Sequence, residues 1–141
     1  MVQNTVQLKV NWGDTDMAGI IYYPNYFKWF DIGSLTLVNE LGLSVINLMQ
    51  EDKIGLPLLD AGCRFRKALL YNDEIRVVSR VTEVNEKTFR VEHEVYRNDE
   101  MTGNGHELRG WVQFDEFGNL KAVPIPDEVR KLLTEDKVLS T

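Results

Sequence analysis

The sequence predicts an α+β fold in which an antiparallel sheet curls round one long central helix. Three observations carry this. Residues Thr5 to Trp12 alternate apolar and polar, Tyr23 to about Leu41 repeat apolar residues at three- and four-residue steps, and four β-branched or aromatic runs follow, separated by short turns. A sheet with one apolar face needs a cover, and the helix is the element large enough to provide it.

The first strand places Val6, Leu8, Val10 and Trp12 on one face, with Gln7, Lys9 and Asn11 on the other. The glycines and short polar residues of Gly13-Asp14-Thr15-Asp16-Met17-Ala18-Gly19 then break the alternation and predict a loop. Pro24 suits the first turn of a helix, because its missing N–H is unpaired there in any case, so the helix is expected to begin near Tyr23. Tyr23, Tyr26, Phe27, Phe30, Leu37, Val38 and Leu41 form its main stripe, with Trp29, Ile32 and Leu35 on its other sides and Gly42 to end it. Gly33 and Ser34 allow another element to approach closely. Ser44 is placed to cap a short helix through Gln50, leading to a turn at Gly55-Leu56-Pro57.

Strands are expected over Leu56 to Lys67, Glu74 to Val84, Thr88 to Arg97 and His106 to Asp115, with turns at Tyr71-Asn72-Asp73, Asn85-Glu86-Lys87, Asn98 to Gly105 and Glu116 to Asn119. Short connections imply antiparallel neighbours. A terminal helix spans Asp127 to Leu133. No repeat or linker divides the chain, so residues 1–141 are read as one domain. Long sheet edges of this kind favour self-association.

Composition narrows the function. Sixteen Lys and Arg against 22 Asp and Glu give a formal charge of −6, which repels phosphate backbones, so nucleic acid is not an expected partner. No apolar run approaches the roughly 18 to 20 residues that cross a bilayer, and Met1 to Leu8 lack the pattern of a leader, so a cytoplasmic protein without a membrane partner is expected. A lone Cys63 with His93 and His106 assembles neither a disulfide nor a structural zinc site.

The chemistry points to the loop. Asp14 and Asp16 lie between the first strand and the start of the central helix, where unpaired N–H groups and the helix dipole stabilise an oxyanion. A carboxylate there can attack a carbonyl or activate water while an amide polarises the carbonyl oxygen, which are the parts of acyl transfer to water. The plainer alternative is that both aspartates cap the turn through Asx hydrogen bonds. A calcium loop fits poorly, because Ala18 and Asn25 stand where oxygen ligands are wanted. Two acids in one loop cannot flank a sugar for glycoside hydrolysis. These arguments do not separate Asp14 from Asp16.

The run from Trp12 to Phe30, WGDTDMAGIIYYPNYFKWF, closely resembles the signature of the 4-hydroxybenzoyl-CoA thioesterase family of hotdog-fold proteins. It combines the Gly-Asp-x-Asp-x-Ala-Gly loop with Tyr-Pro-Asn-Tyr at a helix start, and weaker similarity continues through Gly55-Leu56-Pro57, Tyr71-Asn72-Asp73 and the later strands. The resemblance implies a hotdog fold, Asp16 as the catalytic carboxylate, the Tyr23 backbone N–H as holder of the thioester oxygen, and Gly19 as the place where backbone and substrate approach. It leaves direct attack and general-base activation of water both open. It also implies a dimer as the folding unit, and a homotetramer is consistent with it.

Asp31 is the next candidate. It falls two turns beyond Tyr23 on an apolar helix, where an acid needs a partner, and an i,i+3 pairing with Lys28 is the simplest arrangement. In the aryl-CoA members that this sequence resembles, an Asp at the matching position lines the acyl pocket, which implies a hydrogen bond from a ring hydroxyl. Coenzyme A carries three phosphates and needs local basic residues, for which the candidates are Arg64, Arg66 and Lys67, and Lys87 with Arg90. Some aryl-CoA members carry a denser basic cluster at the turn corresponding to Asn85-Glu86-Lys87, where this chain keeps only Lys87. Cys63 reads as an inert small hydrophobe, and His93, in register with Phe89, Val91 and Val95, as a half-buried hydrogen-bonded imidazole.

The sequence is therefore read as a hydrolase of aromatic acyl-CoA, of the hydroxybenzoyl or dihydroxybenzoyl (gentisyl) type, needing no metal or redox cofactor. A thioesterase for short or medium aliphatic acyl-CoA is one alternative. A non-catalytic module that binds acyl-CoA or an acyl-carrier thioester is the other.

Overall fold

The computed structural model describes residues 1–139. Its elements are β1 (Gln3–Lys9), a 3-10 turn (Trp12–Asp14), α1 (Asn25–Glu40), α2 (Val45–Gln50), β2 (Ile54–Gly55), β3 (Leu58–Phe65), β4 (Glu74–Val84), β5 (Thr88–Arg97), β6 (Glu100–Gly110), β7 (Val112–Phe114), β8 (Leu120–Ala122) and α3 (Asp127–Thr134). Five strands form an antiparallel sheet in the order β1-β4-β5-β6-β3, while β2, β7 and β8 make a second, small sheet. The wrapped helix is α1, and the hotdog arrangement is the fold found.

Two apolar clusters lie along α1. Near its start, Tyr26, Trp29 and Phe30 pack with Ile75, Val77 and Val95, and near its end Leu37 and Val38 meet Val81, Phe89, Val91 and Trp111 with Val129 and Leu133 of α3. Each fully buried side chain of this size contributes roughly 1.5–3 kcal/mol relative to exposure, so this interface holds helix and sheet together.

The boundaries of β4 and β5 are those expected, and Ser44 caps α2 by accepting the Asn47 N–H at 3.3 Å. Gly42 stops α1 with a φ of 85°, the left-handed conformation that glycine adopts without strain. Three expectations are corrected. The first strand starts at Gln3 and ends at Lys9, so Trp12 leaves the inner face, is 74% exposed and meets Tyr71 edge-on with ring centroids 5.4 Å apart. The helix proper begins at Asn25, although successive three-residue turn bonds from Asn25, Tyr26 and Phe27 back to Tyr22, Tyr23 and Pro24 already wind the chain. The long turn expected from Asn98 to Gly105 is a tight Asn98-Asp99 turn, with Asn98 at φ 55°, and β6 starts at Glu100.

The glycines that made 98–105 look like a turn serve close packing instead. A Cβ on Gly103 would lie 2.6 Å from the Tyr26 ring, and one on Gly105 would lie 2.1 Å from the Gly62 carbonyl oxygen and 2.6 Å from the Phe30 ring. Strand glycine here lets the helix aromatics sit directly on the sheet.

Among the described residues, no helix is long and apolar enough to cross a membrane.

Candidate active site

The loop between β1 and α1 is held by its own backbone. Ile21 N–H bonds the Leu69 carbonyl at 2.8 Å, Asp16 N–H the Ile20 carbonyl at 2.9 Å, and Gly19 N–H the Asp16 carbonyl at 3.0 Å. The Asp14 carbonyl accepts both Tyr22 N–H at 2.8 Å and the Asn25 side-chain amide at 2.9 Å, which ties the loop to the helix start. Gly19 sits at φ 80°, and a Cβ there would meet nothing within 4 Å, so conformation rather than crowding calls for glycine.

Geometry separates the two aspartates that spacing alone left equivalent. Asp14 is half-buried and its Oδ2 accepts the Asn11 N–H at 2.8 Å, a local cap on the 3-10 turn. Asp16 is exposed, and its Oδ1 accepts the Ala18 N–H at 2.8 Å, which orients the carboxylate while Oδ2 has no partner among the described residues. The Asx turn and the reactive role are thus compatible in one residue. Tyr23 N–H likewise has no acceptor among the described residues. It stands at the helix entry, where the dipole favours developing negative charge.

Beside Tyr23 is a pocket of about 240 Å³ lined by Ile20, Ile21, Tyr26, Phe65, Arg66 and Lys67. Its wall is aromatic, with Tyr23 and Tyr26 both edge-on to Phe65 at centroid distances of 5.9 and 5.2 Å. Arg66 and Lys67 at its edge are two of the basic residues expected to meet a nucleotide, and Arg66 bonds the Asn104 side chain at 2.8 Å.

Asp31 does not pair with Lys28. Its Oδ1 accepts from Arg109 Nη2 at 2.8 Å, and Arg109 continues to Glu107 Oε2 at 2.9 Å and to the Leu56 carbonyl at 2.9 Å. Glu107 Oε1 accepts from His93 Nε2 at 3.0 Å and from the Ser34 hydroxyl, and His93 Nδ1 lies 2.7 Å from the Ser79 hydroxyl. His93, expected to be half-buried, is 1% exposed and stacked on Phe30 with centroids 4.5 Å apart. Burial holds the His93 imidazole below its usual pKa against the pull of Glu107, so it is read as neutral, giving Nε2–H to Glu107 and accepting from Ser79. Burial alone pushes Glu107 up, but the hydrogen bond from His93 and the charge of Arg109 outweigh it and hold the carboxyl below its usual range.

Sequence reading missed Glu107 and Arg109. The available signal was strand parity, since both share the face of Gly103, Gly105 and the buried Trp111, and charges on an inward face need partners.

Lys87 and Arg90 lie at the start of β5, whereas the Asp16 loop adjoins the β1–β4 end that faces the finish of β5. The ten residues of β5 put roughly 30 Å between those ends within one chain. Lys87 is exposed, and Arg90 sits 3.6 Å from Glu92 in a cleft on the outer sheet face with Arg64 and His106. His106, expected at the start of a strand, lies within β6 and bonds Asp60 at 2.9 Å. Burial pushes the Cys63 thiol up to about 11, in keeping with an inert role.

A hotdog sheet with an oriented carboxylate in the β1–α1 loop and an unpaired amide at the helix entry fits the class of thioester-handling proteins. The chain belongs to the Thioesterase-like superfamily, whose family model matches residues 10–133. It is 25% identical over 135 residues to the 4-hydroxybenzoyl-CoA thioesterase of Pseudomonas sp. (strain CBS-3), covering 91% of this chain and 95% of that one. Among solved structures, a gentisyl-coenzyme A thioesterase matches with a TM-score of 0.82 and 34% identity over 93% of this chain and 99% of the other. An Asp-to-Asn mutant of 4-hydroxybenzoyl-CoA thioesterase complexed with 4-hydroxybenzoyl-CoA matches with a TM-score of 0.85 and 25% identity, covering 94% and 99%.

Proposed function

We propose that this thioester hydrolase cleaves an aromatic acyl-CoA bearing a ring hydroxyl, giving the free acid and coenzyme A. The observation that carries the proposal is that one loop holds both Asp16, oriented by Ala18 N–H at 2.8 Å, and the unengaged amide of Tyr23 at the entry to α1. Names of relatives on 4-hydroxybenzoyl- and gentisyl-CoA support the aromatic class.

In this reading the thioester oxygen accepts from Tyr23 N–H, which stabilises the negative charge that grows on it. The free Oδ2 of Asp16 then either attacks the carbonyl carbon or takes a proton from the water that does. In both cases a C–O bond forms, the C–S bond breaks, and the thiolate leaves to be protonated as coenzyme A; after direct attack the new bond belongs to a mixed anhydride, which water hydrolyses to the free acid and the Asp16 carboxylate. No metal or redox group takes part, and turnover unchanged by EDTA is the expected result.

The roughly 30 Å between the Asp16 loop and the Lys87–Arg90 end of β5 supports a site shared between two copies. β3 is an edge strand of the sheet, with Leu58 47%, Leu59 57% and Phe65 50% exposed, whereas the other edge, β1, is bridged at Gln3 by Val138. Two-fold pairing of identical strands is antiparallel, so the Phe65 end of one copy meets the Leu58 end of the other. Leu58 is opposite Arg109, the partner of Asp31. Such a dimer brings Asp31 and the start of β5 of one copy toward Asp16 and Tyr23 of its mate, with a tetramer as the next level of assembly.

The deciding experiment is thiol release from 4-hydroxybenzoyl-, gentisyl- and butyryl-CoA. Higher kcat/KM on the aromatic thioesters is expected. Preference for butyryl-CoA overturns the acyl class, and no turnover on any thioester leaves a binding module.

A further inference from the structure

We infer that Arg109 is a positioning residue for acyl selection, acting through Asp31. The inference rests on the reading of Asp31 as the acceptor for a ring hydroxyl and extends it to groups that never touch the substrate. Arg109 reaches Asp31 from inside the molecule, with its own side chain 5% exposed while that of Asp31 is 49% exposed. One nitrogen, Nη2, bridges Asp31 Oδ1 and Glu107 Oε2, while Nη1 is fixed on the Leu56 carbonyl. Glu107 is 1% exposed and clamped by His93 and the Ser34 hydroxyl, so the guanidinium has little freedom to turn.

The consequence for Asp31 is directional. With Oδ1 committed to Arg109, Oδ2 is the oxygen without a partner among the described residues, and an ionised carboxylate accepts hydrogen bonds without donating any. A carboxylate held through one oxygen by a guanidinium that is itself fixed on Glu107 and the Leu56 carbonyl is preorganised for a hydroxyl donor, whereas a free one must give up rotamer freedom on binding. The two further partners of Arg109 explain why the anchor is arginine, since a lysine ammonium lacks the fork that spans them. A buried ion group of this kind is poor evidence for stability by itself, which makes a role in orientation the better account of its presence here.

The test measures kcat/KM for 4-hydroxybenzoyl-CoA and benzoyl-CoA in wild type, Asp31→Asn, Arg109→Lys, Glu107→Gln and the double variant Asp31→Asn/Arg109→Lys. Benzoyl-CoA turnover reports folding and intact chemistry. Arg109→Lys keeps a cation beside Glu107, and Glu107→Gln gives a second route to the same loosening if the first variant does not fold. In either variant the preference for the hydroxylated thioester is expected to fall about tenfold, the size of one hydrogen bond to a charged group. Turnover of benzoyl-CoA should stay within about threefold. The double variant should lose no more preference than Asp31→Asn. Preference retained in the folded Arg109 and Glu107 variants but lost in Asp31→Asn overturns the inference and leaves the role of Asp31 standing. So does an additive further loss in the double variant. Absence of any preference in the wild type overturns the reading of Asp31 itself and the inference with it.

Discussion

Gly33 of α1 lies so close to Ser79 of β4 that a methyl group on it would fall 2.3 Å from the Ser79 hydroxyl. That hydroxyl is bonded to His93 Nδ1 at 2.7 Å, so it cannot swing away without opening the buried network. Gly33→Ala is expected to lower stability by about 1–3 kcal/mol, despite the better helix propensity of alanine. Urea unfolding of the two proteins measures it, and an equally stable variant would show that α1 can shift off β4.

The buried histidine predicts a pH dependence of stability. His93 has an ordinary value of 6.5 that burial lowers on folding, so below about pH 6.5 the unfolded chain binds a proton that the folded chain refuses. Stability therefore falls as pH drops through this window, down to the lowered folded value. The groups facing the ring from neighbouring elements are Ser34, Ser79, Glu107 and Phe30. Glu107, held below its usual 4.5, adds a further loss only at more acidic pH. Chemical denaturation at pH 7.5 and 5.5 tests this, with a flatter profile expected for His93→Gln; identical slopes would place the effect elsewhere.

The two loop acids should fail differently. Asp14→Ala removes the bond to Asn11 N–H and is expected to cost about 0.5–2 kcal/mol, the range for a lost cap, while the folded fraction keeps thioesterase turnover. Thermal melts read alongside specific activity separate that outcome from one in which Asp14 carries the chemistry.

Cys63, with its thiol pushed up to about 11, should react with iodoacetamide at pH 8 at least tenfold more slowly than a free cysteine. Labelling followed by intact-mass measurement gives the rate. Fast labelling would mean that the β3 edge is an electropositive, reactive environment.

Much of this was legible in the chain because periodicity and turn chemistry are local. The β-branched and aromatic runs from Glu74 to Val84 and Thr88 to Arg97, bounded by turn residues, marked those strands to the residue, and Ser44 marked its own helix start. Gly103 and Gly105 misled because their reason is tertiary: the rings of Tyr26 and Phe30, far away in sequence, occupy the space that side chains would need. Trp12 misled for the converse reason, since alternation continued past the point where β1 loses its β4 partner at the Lys9–Glu74 pair. Asp14 and Asp16 satisfy the same spacing rules, and only their different hydrogen-bond partners, Asn11 and Ala18, set them apart. The Arg109–Asp31 pair spans 78 residues, and only Arg109 announces itself, as a charge on an inward strand face.

The central claim is tested most directly by thiol release from 4-hydroxybenzoyl-CoA with wild type and Asp16→Asn at equal folded concentration. The account predicts that the isosteric change lowers kcat by about 10²-fold or more, with the fold and thermal melt preserved. Turnover by Asp16→Asn within a few-fold of wild type would contradict it.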